Sequence, residues 1–136
     1  MRRILFIIVI LGTLMLVACE ASATGPVETP ASVPAEFAGA TNPFGADSAA
    51  AASAGAELFE ANCELCHGAQ GHGDGIAGQS LEPKPKDLAD LQVTVGDDFL
   101  FWRIHEGKPG TAMVAWNGIL TDEQIWQIVS FIRTLK

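Results

Sequence analysis

Five consecutive residues restrict this chain more than any other feature, namely Cys63-Glu64-Leu65-Cys66-His67. Two thiols three positions apart lie on neighbouring turns of one helix face, and an imidazole follows at once. The C-x-x-C-H spacing is the attachment motif of c-type haem, in which each thiol adds to a vinyl group of one porphyrin. We therefore predict one covalent haem c, with Cys63 and Cys66 as its thioether residues and His67 as an axial ligand of its iron.

Two other chemistries use the same residue types. A thioredoxin-like redox pair requires a βαβ setting, and the strongest strand pattern in this chain is the short, solitary segment Leu91 to Val95. A zinc site requires two further ligands, which His72 and His105 could supply, but scattered histidines after C-x-x-C-H are not a usual zinc arrangement. Haem attachment is therefore the favoured interpretation.

The chain begins with a targeting signal. Arg2 and Arg3 precede an apolar run of 15 residues, which is shorter than the roughly 20 residues of a membrane-spanning helix and typical of a secretory signal. The run ends in Leu16-Val17-Ala18-Cys19, which resembles the lipobox of bacterial lipoproteins, where cleavage leaves a lipid-modified cysteine at the new N-terminus. We predict a signal peptide at 1–18, lipidation of Cys19 and a place at the extracytoplasmic face of a bacterial cell membrane. The alternative is an uncleaved short anchor with an incidental cysteine.

The charge balance argues against nucleic acid as a partner. Asp and Glu number 16 against 8 Lys and Arg, and removal of the signal takes away two of the basic residues and none of the acidic ones. Six basic residues then face 16 acidic ones, so the mature net charge is −10. Phosphate binding needs a Lys/Arg surplus on the contact face. We expect redox protein partners with basic docking surfaces instead.

The mature chain divides into a tether and a folded domain. Residues 19–52 are rich in Ala, Pro, Ser, Thr and Gly and lack periodic apolar positions, so they cannot bury enough surface to offset the entropy of ordering. We predict a flexible, lipidated tether there, in which Phe37 and Phe44 are stray apolar residues, and a folded domain at 53–136.

The domain itself contains three helical stretches and much loop. The first runs from near Ser53, or from an earlier start within Ala49 to Ala52, to Cys66. The second runs from Asp97 to Gly107, and the last opens with the capping-box pattern Thr121-Asp122-Glu123-Gln124. About 84 residues with so much loop make a thin core, and domains of this size commonly need a staple. Three cysteines cannot all pair, which leaves a large buried cofactor as the natural staple.

Residues 53–136 resemble a small class I cytochrome c with one haem. The spacing Gly55-x-x-x-Phe59-x-x-x-Cys63 reproduces the N-terminal helix of that family, in which the glycine allows close approach to the C-terminal helix and Phe59 would pack near Phe131. The stretch Pro83-x-Pro85-x-Asp87-Leu88 and the pair Ile125-Trp126 also resemble the family. The resemblance implies an all-α fold of three or more helices around one covalently bound haem.

The same resemblance implies the remaining groups around the iron. In the family a methionine on the loop before the last helix is usually the sixth ligand, and Met113, the only methionine of the mature chain, lies on that loop. A proline carbonyl orients the proximal imidazole in the family, and either Pro83 or Pro85 could orient His67 in this way.

These ligands would saturate the iron, which favours a single-electron carrier over an enzyme. The carrier would either shuttle on its anchor or serve as a subunit of a respiratory or photosynthetic complex, such as a quinol-oxidising one. The alternative from another class is a haem enzyme or gas sensor with an open distal site, in which His72 or His105 would be an acid–base group. Those two histidines are also the rivals of Met113 as ligand. A further alternative is a structural subunit whose haem only stapled the fold.

Overall fold

The computed structural model describes residues 32–45 and 48–136. In these ranges five α-helices and one 3-10 turn follow one another, with a single isolated β-bridge and no strand. The elements are α1 (Ala49–Asn62), α2 (Glu64–His67), the 3-10 turn (Gly78–Ser80), α3 (Leu88–Gln92), α4 (Asp97–Glu106) and α5 (Asp122–Ile132). The all-α prediction is thereby confirmed. The predicted signal peptide and Cys19 lie outside the described residues, and no described helix is long and apolar enough to cross a membrane.

Helices α1 and α5 cross at Gly55. A Cβ atom at this position would lie 1.9 Å from the carbonyl oxygen of Gln127, so only glycine lets the two backbones approach this closely. One turn further along α1, the ring of Phe59 lies 5.0 Å from the ring of Phe131. Both contacts were predicted from the resemblance, and they fix the direction in which α1 delivers the cysteines at its carboxyl end.

The core is built mainly from α5. Its apolar residues recur at three- and four-residue steps, and Ile125, Ile128 and Val129 are fully buried. Each such side chain contributes about 1.5–3 kcal/mol relative to exposure. The helix begins with the predicted capping box, in which Thr121 and Gln124 each accept a hydrogen bond from the other's backbone N–H. Helix α4 covers this core, and its Phe101 stacks at 4.2 Å on Trp126.

Residues 32–45, which we call the strap, pack against the helices, although the sequence predicts a flexible tether there. Phe37 and Phe44 are half-buried against the core, and the ring of Phe37 lies 6.1 Å from that of Phe101. The prediction of a tether through residue 52 is wrong for this segment, because its apolar side chains bury surface without helical or strand periodicity. The folded unit spans Ser32–Lys136.

Polar contacts also hold the strap in place. The side-chain amide of Asn42 donates to the Trp126 carbonyl at 3.2 Å and to Ser130 Oγ at 2.8 Å, and the Gly39 N–H donates to Asp98 Oδ2 at 2.9 Å. These bonds reach both α5 and α4. After the strap, Ser48 caps α1, which begins at Ala49, the earlier of the two starts that the sequence allows.

Candidate haem site

The C-x-x-C-H motif forms a single helical turn at the end of α1. The Cys63 N–H donates to the Phe59 carbonyl at 2.7 Å and so closes α1, while the N–H groups of Cys66 and His67 donate to the Cys63 carbonyl at 3.1 and 2.9 Å. Helix α2 is therefore one turn whose backbone fixes both cysteines and the histidine relative to each other. Both thiols are free and half-buried. Burial, and in second place the Cys66 thiol, raise the pKa of Cys63 to about 12.

A glycine-rich loop packs directly on the backbone of this turn. A Cβ atom at Gly75 would lie 2.5 Å from the Leu65 carbonyl oxygen, and one at Gly78 would lie 2.2 Å from the Cys66 carbonyl oxygen. The Ala77 N–H donates to the same Leu65 carbonyl at 2.9 Å. The glycines thus let the loop satisfy and immobilise the carbonyl groups of the motif.

His67 is the least satisfied polar side chain among the described residues. Its Nδ1 is buried and has no hydrogen-bond partner of good geometry. Burial lowers the pKa of His67, and a backbone interaction with Lys86 opposes that shift. The neutral imidazole is the form that binds metals. The backbone group that acts on the ring belongs to Lys86, and the orientation of His67 by a carbonyl of Pro83 or Pro85 stays a prediction.

The donor set fits haem c. Two free thiols at the attachment spacing and a buried neutral imidazole lie on one helical turn, and together they would hold the porphyrin through thioethers and its iron through nitrogen. The roles of Cys63, Cys66 and His67 toward the group stay predictions, each with the local geometry that it requires.

The two rival histidines have carboxylate partners. His72 Nδ1 lies 2.9 Å from Asp87 Oδ2 at an exposed position, and His105 Nδ1 lies 2.7 Å from Glu106 Oε1. The His105 ring is also stacked at 5.5 Å on Phe101. Each of these rings has a carboxylate partner, which the buried Nδ1 of His67 lacks.

Met113 lies on the loop between α4 and α5, as the sequence predicts. It is half-buried and packs against the hydrophobic core. Its backbone is held on both sides, because its N–H donates to Thr111 Oγ1 at 3.2 Å and its carbonyl accepts from the Lys108 N–H at 2.9 Å. Its role as the sixth ligand stays a prediction.

Sequence reasoning missed the supports of this loop. Thr111 Oγ1 also donates to the Lys108 carbonyl at 2.7 Å, and a Cβ atom at Gly107 would lie 2.6 Å from the Met113 carbonyl oxygen. The available signal was the glycine at the end of the second predicted helix, which we interpreted only as a helix terminator.

The fold and the C-x-x-C-H turn define a small c-type cytochrome. Residues 50–132 match the family described as cytochrome c oxidase, cbb3-type, subunit III. Since the match covers more than half of the chain, the protein belongs to this family of cytochrome c domains. It is a monohaem class I c-type cytochrome and an electron-transfer protein with one covalent haem c.

Individual relatives agree with this assignment. Cytochrome c6 of Synechococcus elongatus is 32% identical over 78 residues, which are 57% of this chain and 83% of that protein. Cytochrome c55X of Stutzerimonas stutzeri is 32% identical over 75 residues, 53% of this chain and 57% of that protein. The structure of cytochrome cL from the marine methylotrophic bacterium Methylophaga aminisulfidivorans superposes with a TM-score of 0.55 at 22% identity, over 82% of this chain and 71% of that one. At that identity the last comparison shows the fold alone.

Proposed function

We propose that this cytochrome is a lipid-anchored single-electron carrier at the extracytoplasmic face of a bacterial cell membrane. The observation that carries the proposal is the pair of predicted axial ligands, a buried His67 and a Met113 held in place by its own loop. Together they would leave no iron position open to a substrate. A thioether ligand favours Fe(II) and raises the potential, so the protein would pass electrons at its surface without binding a substrate.

The sequence that precedes Cys19 supports the anchor. Because the strap belongs to the folded unit, it shortens the chain between that unit and the anchor. Because the folded unit starts at Ser32, 13 chain links separate it from Cys19. Fully extended, these links span at most about 45 Å. A domain on so short a linker favours partners embedded in the same membrane or docked on it, such as a respiratory or photosynthetic complex.

Replacement of Cys19 tests the anchor. We expect the wild type to be extracted from membranes only by detergent, and Cys19→Ser to accumulate as a precursor or a wrongly cleaved product. Ser22→Ala is the matched control beside the site and should be processed normally. An unchanged mature mass and membrane association in Cys19→Ser would contradict the lipid anchor.

The surface around α2 supports a basic partner. Leu65 and Ile76 are 63% and 80% exposed, and they line a surface groove of about 560 Å³ together with Glu60, Glu64 and Asp74. We call it the acidic groove. Leu65 lies between the two cysteines of the motif, so the groove adjoins the point of haem attachment. Apolar side chains bordered by carboxylates complement a partner whose apolar docking patch is bordered by Lys or Arg.

Two small redox complexes of equal size and opposite charge test the groove. In the chain without signal and Cys19, electron transfer to the cationic complex should slow with added salt, and transfer to the anionic one should accelerate, because the Debye length falls from about 10 Å at 0.1 M to 3 Å at 1 M. The double change Glu60→Gln with Glu64→Gln should weaken both salt effects, while the exposed Glu123→Gln, outside the groove, should change them less. Salt-independent rates would point to apolar docking or a permanent complex.

A further inference from the structure

We propose that Arg103 is a positioning residue that clamps the Met113 loop onto the carboxyl end of α4. Arg103 would act on the iron only through Met113, so the inference rests on the ligation proposed above. The contacts that carry it lie entirely within α4 and the loop that follows.

The loop returns to cap the helix from which it departs. The Trp116 N–H donates to the Ile104 carbonyl at 3.2 Å, and the Asn117 N–H donates to the His105 carbonyl at 3.1 Å. The last carbonyls of a helix have no partner within the helix. Here the residues just beyond Met113 supply those partners, so the end of α4 is the platform for the loop.

Arg103 joins this platform at Gly107. Its Nη1 donates to the Gly107 carbonyl at 2.9 Å, and Gly107 has a φ of +67°. A Cβ atom there would lie 2.5 Å from the Val114 carbonyl carbon and 2.6 Å from the Met113 carbonyl oxygen. The peptide that Arg103 holds is thus in direct contact with the backbone of the predicted ligand.

The guanidinium group is itself fixed by aromatic rings. Its central carbon lies 4.0 Å from the Trp102 ring centroid and 5.6 Å from that of Phe99, distances at which a cation is attracted to a ring face. A side chain held in this way forms its hydrogen bond to Gly107 with little further loss of freedom.

The test compares two arginines in the haem-loaded protein. Arg103→Met removes the donors and keeps much of the side-chain volume, whereas Arg133→Met removes an arginine that pairs with Asp97 and donates to the Val95 carbonyl, away from the loop. We expect Arg103→Met to bind cyanide to the ferric iron about tenfold faster, in line with the loss of one charge-assisted hydrogen bond, to weaken the near-infrared sulfur-to-iron band and to lower the reduction potential. Arg133→Met should lose stability and keep wild-type values of all three.

Amide hydrogen exchange gives a second, ligand-independent measurement. Exchange at Lys108, Trp116 and Asn117 should accelerate in Arg103→Met. Arg103→Lys, which keeps a cationic donor for a helix-end carbonyl, should give values between those of the wild type and Arg103→Met, and it serves as the test variant if Arg103→Met does not fold.

The outcomes separate this inference from the proposed function. Unchanged cyanide binding and unchanged amide exchange in the Arg103 variants would overturn the clamp and leave the carrier function intact. A wild type without the sulfur-to-iron band would overturn the role of Arg103 together with that of Met113. A reversible one-electron titration would then decide the carrier function by itself.

Discussion

The ring of Phe37 lies 5.3 Å from the ring of His105, and this contact joins the strap to α4. It places an aromatic side chain from before the first helix over a histidine that the sequence left open as a rival ligand. His105 therefore has a structural environment of two aromatic rings and two carboxylates. The folded domain extends toward the N-terminus by the length of the strap.

Replacement of Phe37 should destabilise the domain although it lies outside all helices. A fully buried Phe→Ala change costs about 3–5 kcal/mol, and Phe37 is half-buried, so we expect a loss of about 1–2 kcal/mol in denaturant unfolding of the haem-loaded protein. Glu36→Gln, at an exposed strap position, is the control and should stay within about 0.5 kcal/mol. Equal stability of Phe37→Ala and wild type would mean that the strap is not docked in solution.

Gly55→Ala should destabilise the domain even though alanine has the higher helix propensity. Alanine is favoured over glycine inside a helix by about 1 kcal/mol, but its Cβ would lie 1.9 Å from the Gln127 carbonyl oxygen, so α1 and α5 would have to separate. We expect a net loss of about 2–3 kcal/mol in the free energy of unfolding. Ser53→Ala, exposed on the same helix, should change little, and a stabilised Gly55→Ala would refute the close crossing.

Features that depend on one residue or one helical turn were predicted correctly from the sequence, whereas features that depend on residues distant in sequence were not. Gly55 and the capping box of Thr121 were predictable, because one residue or one turn carries the whole signal, and α4 ends where Gly107 predicts. The strap was not, because Phe37 is half-buried through contacts with α4, which is distant in sequence. The action of Lys86 on the proximal histidine depends on a loop conformation that residue spacing does not determine.

Haem attachment should require both thiols of the motif. Cys63→Ser should retain at most one thioether, and the double change with Cys66→Ser should abolish haem staining on a denaturing gel. The double variant should also lose helical signal in circular dichroism, because a small core depends on its staple. Cys19→Ser should keep the stain, since Cys19 lies outside the motif. A folded double variant without haem would contradict the stapling argument.

Asp87 should make the stability of α3 depend on pH in the acid range. It accepts from the Asp90 N–H at 3.1 Å as the N-cap, and that bond first, then His72, holds the pKa of Asp87 below its usual 3.8. A carboxyl group whose pKa is lower in the folded than in the unfolded state stabilises the fold at pH values above its unfolded pKa. This contribution is lost as the pH falls through the folded pKa.

Two substitutions of Asp87 separate the effect of its negative charge from the effect of its N-cap hydrogen bond. Asp87→Ala should lose about 1 kcal/mol at neutral pH, the usual value of an N-cap, whereas Asp87→Asn keeps a cap acceptor and should lose less. Thermal unfolding should show the wild type above Asp87→Asn at pH 6, with the two converging as pH falls below 3.8. A constant difference between them at all pH values would contradict the linkage.

Ligation of the iron by Met113 distinguishes an electron carrier from a haem enzyme with an open distal site. It is the only methionine of residues 19–136, and its backbone is fixed by Thr111 and Lys108. The oxidised wild type should be low-spin and show the weak near-infrared sulfur-to-iron band. Met113→Ala should lose that band, lower the potential and open the iron to carbon monoxide or cyanide. Met113→His should restore a low-spin state at a lower potential, because imidazole favours Fe(III) more than a thioether does.

Two other results for the wild type would contradict Met113 as the ligand. High-spin iron that binds carbon monoxide readily in the wild type would mean an open distal site and favour the haem enzyme or gas sensor. Low-spin iron without the band would favour a histidine ligand, and His72→Gln and His105→Gln would identify it. His72 would have to leave Asp87 at 2.9 Å, and His105 would have to leave Glu106 at 2.7 Å. Because each ring would exchange a charge-assisted contact for the iron whereas Met113 gives up none, we expect the thioether to be the ligand.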